Sequence, residues 1–256
     1  MKFRFLGAHN CESQDTKLVS LLIDDVLVLD AGGLTSSLSF EEQLKLKAIV
    51  LTHQHYDHIK DIPLLAMNLY LNGATINVYS TLHVRDALST NLLNGQLYPN
   101  FLEKPEDAPV LRFNIMEPYR AVQIEGYSVL TVPIGHAVSS VGYQITSADG
   151  KTVFYTGDTG PDLAECWEYV SPQLLITEVT ASNRFEEFGK ESGHLTPSLL
   201  KKELASFQRV KGYLPEVVVV HMSPNLEGEI EAELSEVAKD LKNSITLAYE
   251  GMQLYL

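Results

Sequence analysis

Six consecutive residues, His53-Gln54-His55-Tyr56-Asp57-His58, carry three imidazoles and a carboxylate, the side chains that bind borderline divalent ions. They follow the apolar run Ala48-Ile49-Val50-Leu51-Thr52, which reads as a buried strand. On an extended segment residues i and i+2 share a side, so His53 and His55 converge on one ion while Asp57 and His58 point elsewhere. The spacing therefore favours two metals. No thiolate is present to demand a soft ion, so zinc suits the set, with manganese and iron as alternatives. A dinuclear centre needs further donors, and other apolar runs lead into them: 129–133 into His136, 153–155 into Asp158, and 217–220 into His221. Five histidines and two carboxylates around two ions leave one position for a bridging water, the arrangement that hydrolytic metal chemistry requires.

The elements that must position these side chains are legible in outline. β-branched or alternating runs predict strands over 2–6, 18–23, 26–30, 48–52, 75–79, 122–124, 128–132, 141–146 and 152–156. Asp24-Asp25 and Asp149-Gly150 fall between runs as hairpin turns do. Helices are expected over 57–71, 82–93, 162–170, 197–207 and 229–241. Thr196-Pro197 reads as an N-cap with proline at the first helical position, which fixes a helix start beside His194. Strands, then strand-helix alternation from 48, then strands again, then alternation over 152–220, suggest two similar halves whose sheets pack face to face with helices outside. No low-complexity linker divides them, so 1–256 is taken as one domain. Asp30 is expected to support the metal loop by hydrogen bonding rather than to ligate. His9 and His83 lie outside the ligand order and read as structural or surface residues.

Charge and composition exclude other classes. Nineteen Lys and Arg against 33 Asp and Glu give a net charge of −14, so no broad basic face is expected for extended nucleic acid or anionic lipid. No secretory signal is visible at the N-terminus. Residues 62–84 lack charge but are interrupted by Pro63, Asn68, Asn72 and Gly73, whereas a membrane helix needs roughly 20 mostly apolar residues. No membrane partner is expected. Cys11 and Cys166 lack C-x-x-C spacing, read as core thiols, and suit a reducing compartment such as the cytoplasm.

The order His53-x-His55-x-Asp57-His58, His136, Asp158, His221, together with Val28-Leu29-Asp30-Ala31-Gly32, resembles the metallo-β-lactamase superfamily over nearly the whole chain. The resemblance implies an α+β fold, a four-layer αββα sandwich of two mixed sheets. It also implies that His53, His55 and His136 hold the first metal, Asp57, His58 and His221 the second, and that Asp158 bridges. True β-lactamases have cysteine in place of the bridging aspartate and commonly arginine in place of the last motif histidine, so Asp158 and His58 argue against that branch. A carboxylate bridge draws two ions to roughly 3.5–4 Å, a spacing suited to the attacking and leaving oxygens of a phosphodiester.

Four strings resemble one subgroup, the class II 3′,5′-cyclic-nucleotide phosphodiesterases: Leu97-Tyr98-Pro99-Asn100-Phe101, Thr156-Gly157-Asp158-Thr159-Gly160-Pro161, Gly193-His194-Leu195-Thr196-Pro197 and His221-Met222-Ser223-Pro224. They imply substrate contacts from His194 and Asn100. Tyr98 stands where that subgroup prefers tryptophan. The related tRNA 3′-processing nucleases carry an equivalent Glu-x-Thr and His-x-Thr pair, matched by Glu178-Val179-Thr180 and His194-Leu195-Thr196. By that match Glu178 orients His194 and raises its pKa, making His194 the proton donor. Asp57 is separately expected to orient the metal-bridging hydroxide or to accept the proton lost as it forms from water.

Charge separates the two subgroups. Between Ile59 and Gly135, where a tRNA exosite would be inserted, five basic residues face seven acidic ones, and binding a polynucleotide takes about 6–10 clustered phosphate contacts. A single phosphodiester needs only the surplus of about one positive charge left by two divalent ions, two carboxylates and a hydroxide. The expected partner is therefore a small anionic phosphodiester, cAMP or cGMP being cleaved to the 5′-nucleotide, and not extended nucleic acid. The ligand set alone also permits another phosphodiester, an RNA 3′ end, a lactone or a thioester, and a metal-containing ligand sensor is the non-enzymatic alternative. Resemblance further implies a homodimer.

Overall fold

Strands buried on both faces dominate the computed structural model, which describes residues 1–256. In β1 (Lys2–Gly7), β2 (Ser20–Ile23) and β3 (Leu27–Leu29), Phe3, Phe5, Leu21, Ile23, Leu27 and Leu29 face the space between two sheets. The intervening Leu22 and Val28 pack outward beneath helices, the period-two alternation of a pleated strand applied to two apolar environments. Within β4 (Ala48–Val50), Ala48 and Val50 point inward and Ile49 outward. With β5 (Ile76–Ser80), β6 (Leu111–Ile115) and the C-terminal β14 (Gln253–Tyr255), these strands form a seven-stranded sheet in the order β14-β1-β2-β3-β4-β5-β6.

The second sheet also has seven strands: β7 (Ala121–Ile124), β8 (Tyr127–Ile134), β9 (Ser140–Thr146), β10 (Thr152–Tyr155), β11 (Leu174–Glu178), β12 (Glu216–Val220) and β13 (Ile245–Leu247), ordered β13 to β7. Both sheets have one plan. Pairing is antiparallel from β14 to β3 and from β7 to β10, then parallel from β3 to β6 and from β10 to β13. Helices α3 (Ile62–Leu71) and α4 (Leu82–Ala87) bury apolar side chains on the outer face of the first sheet; α5 (Ala164–Tyr169), α7 (Pro197–Lys211) and α8 (Glu227–Leu241) do so on the second. Trp167 of α5 meets Phe154 and Phe207 edge-on, at centroid distances of 6.2 and 5.2 Å, and ties that helix to β10 and α7. The expected four-layer αββα sandwich is the observed fold.

Local departures have physical causes. The helix expected over 57–71 is two pieces, α2 (Tyr56–Ile59) and α3. Pro63 has no N–H to give the carbonyl of Ile59, so the chain restarts with proline in the first turn of α3. Ala31 fills the break: its N–H donates to the His58 carbonyl at 2.7 Å, and its carbonyl accepts from the Asp61 N–H at 2.9 Å. That exchange fastens the histidine motif to the loop after β3. The stretch expected as a helix over 82–93 ends as α4 at Ala87 and continues as a π turn, Leu88–Leu92. Asp24 and Asp25 form their hairpin with positive φ of 46° and 61°, a conformation Asp tolerates.

Thr196 occupies the N-cap of α7, but its hydroxyl makes no capping bond; the Ser198 N–H is instead taken by Asn183 Oδ1 at 2.7 Å. Cys11 is exposed rather than a core thiol, and Cys166 is buried. Strands β6, β13 and β14, and the short helices α1 (Phe40–Gln43) and α6 (Glu186–Ser192), were outside the sequence expectation.

Candidate metal centre

Parallel strands place their carboxyl ends on one rim, and the candidate residues gather there. The segment after β4 brings His53, His55, Asp57 and His58; His136 follows β8, Asp158 follows β10 and His221 follows β12. Donor atoms of His53, His55, His136 and Asp158 lie within 4.8 Å of one another, as do those of Asp57, His58, Asp158 and His221. Asp158 belongs to both groups. Its Oδ2 is 3.7 Å from His53 Nε2, 3.9 Å from His136 Nε2 and 3.4 Å from His221 Nε2, while its Oδ1 is 3.2 Å from His58 Nε2. Asp57 Oδ2 lies 3.2 Å from His221 Nε2 and 3.6 Å from His58 Nε2.

Three of these atoms, His53 Nε2, His58 Nε2 and Asp158 Oδ1, are buried and have no hydrogen-bond partner. Buried polar atoms are almost always satisfied. Their convergence with two carboxylates, and the borderline nitrogen and oxygen donor chemistry, fit two divalent cations.

Bonds to the other ring nitrogen fix how each imidazole points. His58 Nδ1 donates to Asp30 Oδ2 at 2.8 Å, and His136 Nδ1 donates to the Gly193 carbonyl at 2.8 Å. Thr52 Oγ1 donates to Asp30 Oδ2 at 2.9 Å and so has a lone pair for His53 Nδ1–H, also at 2.9 Å. Thr180 Oγ1 likewise donates to Glu178 Oε2 at 2.7 Å and accepts from His221 Nδ1 at 2.8 Å. In all four rings Nε2 is left to face the cluster. His55 is different: its Nδ1 lies 3.2 Å from His136 Nε2 and is the atom turned inward.

Asp30 also takes the Tyr155 hydroxyl at 2.7 Å and the Thr52 N–H at 2.8 Å, and is fully buried. Gly157 lets the Asp158 loop press onto this assembly: its φ is +61°, and a Cβ there would meet Thr52 side-chain atoms at 2.7–2.8 Å.

Glu178, an acid at a strand end that could have faced solvent, is fully buried. It receives His194 Nδ1 at 2.6 Å, the Thr159 N–H at 3.0 Å, the Leu195 N–H at 3.2 Å and the Thr180 hydroxyl. His194 retains 18% side-chain exposure and stacks on His221 with centroids 5.5 Å apart. Burial alone would lower its pKa, but Glu178, then Asp158 and Asp57, outweigh that and raise it to about 9. Burial lowers His53, His55 and His136. For His58 burial is outweighed by Asp158 and Asp30, which raise it well above the ordinary value. Asp57 and Asp158 are held below the ordinary carboxylate range: burial opposes this but is outweighed, chiefly by His221 and His58.

Asn100 makes no hydrogen bond to these residues; it sits in a turn where its carbonyl accepts from the Glu103 and Lys104 N–H groups at 3.1 and 2.8 Å, and its Oδ1 is buried without a partner. Tyr98 packs edge-on against Phe101 at 6.3 Å. His83 is exposed on α4. Sequence reasoning assigned no role to Thr52, Thr180, Tyr155 or the Gly193 carbonyl; adjacency to His53 and the Glu-x-Thr string were the available signals for the two threonines.

Residues 25–222 match the beta-lactamase superfamily domain. The "Probable 3′,5′-cyclic-nucleotide phosphodiesterase" of Yersinia pestis is 26% identical over 207 residues, covering 71% of this chain and 58% of that protein. The chain thus spans less than two thirds of that relative. Ribonuclease Z of Methanococcus aeolicus is 20% identical over 303 residues, 95% of this chain and 91% of that one. The crystal structure of unliganded yeast PDE1 superposes with a TM-score of 0.85 at 17% identity, covering 100% of this chain and 99% of that chain, a likeness of fold. No helix is long and apolar enough to cross a membrane.

Proposed function

The chain belongs to the beta-lactamase superfamily, and from that premise we propose that it is a dinuclear metal-dependent phosphodiesterase cleaving 3′,5′-cyclic nucleotides, cAMP or cGMP, to 5′-nucleotides. The observation that carries the reading is the pairing of two donor clusters sharing Asp158 with a buried Glu178–His194 dyad beside His221. His53, His55, His136 and Asp158 would hold one ion and Asp57, His58, Asp158 and His221 the other, zinc suiting the donors best and manganese or iron being alternatives. When bound, such ions bring a coordinated water toward a pKa of roughly 7 and offset charge on phosphoryl oxygens.

The chain's own residues supply the rest. Asp57, held ionised, orients the attacking water or takes its proton. His194, held protonated through neutral pH by Glu178, donates Nε2–H to the departing ribose 3′ oxygen, because its Nδ1 proton is committed to the Glu178 carboxylate. The Yersinia relative's name supports the cyclic-nucleotide substrate. The Methanococcus relative, aligned along most of both chains, favours an RNA 3′ end as the second reading; the acidic excess over residues 59–135 weighs against it. Two unpaired cysteines agree with a cytoplasmic setting.

The test is hydrolysis of cAMP and cGMP by the zinc- or manganese-loaded chain, with product identity read by chromatography. Chelation should abolish turnover and added metal restore it. Full turnover by Asp57→Asn, with metal content unchanged, would overturn the assignment of roles.

A further inference from the structure

His221 has a φ of +63°, a left-handed conformation that is unfavourable for a non-glycine residue, so neighbouring structure must hold it there. Part of that hold comes from the far N-terminus. The His221 N–H donates to the Ala8 carbonyl at 2.6 Å, the Asn10 N–H to the Met222 carbonyl at 3.2 Å, and Asn10 Nδ2 to Ser223 Oγ at 3.0 Å.

Residues 8–10 are a loop after β1, and their position is set by Glu250, which lies on the connection that crosses from β13 in one sheet to β14 in the other. Glu250 Oε1 accepts from His9 Nδ1 at 2.7 Å, from the Lys17 N–H at 2.8 Å and, more weakly, from the Ala8 N–H at 3.4 Å. His9 is buried at 3% exposure, and it forms bridges to both Leu18 of the first half and Met222 of the second. Its Nε2 lies 3.4 Å from Glu227 Oε2 at the start of α8, a longer contact. None of these side chains belongs to the donor clusters.

We propose that His9 and Glu250 form a positioning clamp for His221, so that retention of the second cation, at Asp57, His58, Asp158 and His221, depends on a hydrogen bond between the N-terminal loop and the C-terminal crossover. The first cluster, at His53, His55, His136 and Asp158, has no ligand attached to this loop and is independent of the clamp. The inference rests on the two-metal reading and is indifferent to the substrate.

The experiment is zinc titration of the full chain against a competing chelator, with metal per chain counted by mass spectrometry and cobalt(II) absorption recorded in parallel. The wild type should bind two zinc ions. His9→Ala and Glu250→Ala should keep one tight ion and bind the other about 10–100-fold more weakly, the usual effect of removing support behind a ligand. Their cobalt spectra should then resemble that of His221→Ala and not that of His55→Ala. Glu250→Gln, which keeps an acceptor oxygen, should recover most of the affinity, and Glu227→Gln should match the wild type. If the alanine variants fail to fold, His9→Phe removes both ring nitrogens while conserving bulk and should show the same selective weakening. Equal weakening of both ions, or wild-type affinity for both, overturns the clamp. A wild type that binds fewer than two ions overturns the two-metal reading, and the clamp with it.

Discussion

Asp30 and Glu178 are fully buried carboxylates, one beside each sheet, and both are wired alike: one histidine bonded directly and a second reached through a threonine hydroxyl. The destinations differ. Asp30 serves His58 directly and His53 through Thr52, and both rings face the donor clusters. Glu178 serves His221 through Thr180, but its direct partner, His194, stands outside the two clusters around Asp158 and retains solvent access. The difference separates two uses of one device. A carboxylate whose two histidines both face the donor clusters is a scaffold. One that binds a donor on one side and a partly exposed imidazole on the other can hold a proton next to the metal site.

This contrast can be broken at its strong end first. Asp30→Ala removes the acceptor for His58, Thr52 and Tyr155 together, leaving buried donors unpaired. It should destabilise the fold by about 3–5 kcal/mol in urea denaturation and lower the affinity for both ions. Glu178→Gln should instead retain two ions and lower kcat by about 10²–10⁴-fold, the usual contribution of a general acid. It should also move the alkaline limb of the rate profile. A proton donor is lost as pH rises through its pKa, and with the carboxylate neutralised that loss should begin about one to three pH units lower. If Glu178→Gln loses metal as completely as Asp30→Ala, the two carboxylates are not distinct.

The threonines offer a finer comparison. Thr52→Val and Thr180→Val each cut one relay while preserving shape, and each should weaken metal binding by about 10–100-fold, the first at the His53 cluster and the second at the His221 cluster. Isothermal titration resolves which ion is affected. The smallest effect is expected at His83, exposed on α4 and outside both donor clusters: His83→Ala should leave kcat unchanged and alter stability by about 0.5 kcal/mol or less.

The same contrast explains what was legible in the sequence. Four candidate donors fall within six residues after one strand, so local spacing exposes them, and the later ones are visible because each ends an apolar run. The doubled plan of antiparallel then parallel strands shows in the order of elements. The closing strand β14 was hidden, because its partner β1 lies at the opposite end of the chain and a three-residue strand has little pattern of its own. The supports were hidden for a related reason. Thr180 sits 41 residues from His221, and Gly193 supports His136 with a main-chain carbonyl that no side-chain identity announces. The break between α2 and α3 was readable from Pro63, but what fills it, the main chain of Ala31, is a tertiary fact. Asn100 came in on a string resemblance alone, and its main-chain carbonyl closes a turn with Glu103 and Lys104.

The central claim is that the clustered donors and the Glu178–His194 pair serve one small phosphodiester. The most direct measurement is a single panel on the zinc- or manganese-loaded chain: cAMP, cGMP, 2′,3′-cyclic nucleotides, bis(p-nitrophenyl) phosphate, a lactone, a thioester and pre-tRNA. Fast conversion of a 3′,5′-cyclic nucleotide to its 5′-nucleotide is expected, with slower turnover of the aryl diester and no trimming of pre-tRNA. Efficient lactone or thioester hydrolysis without cyclic-nucleotide turnover, or maturation of the pre-tRNA 3′ end, would contradict it.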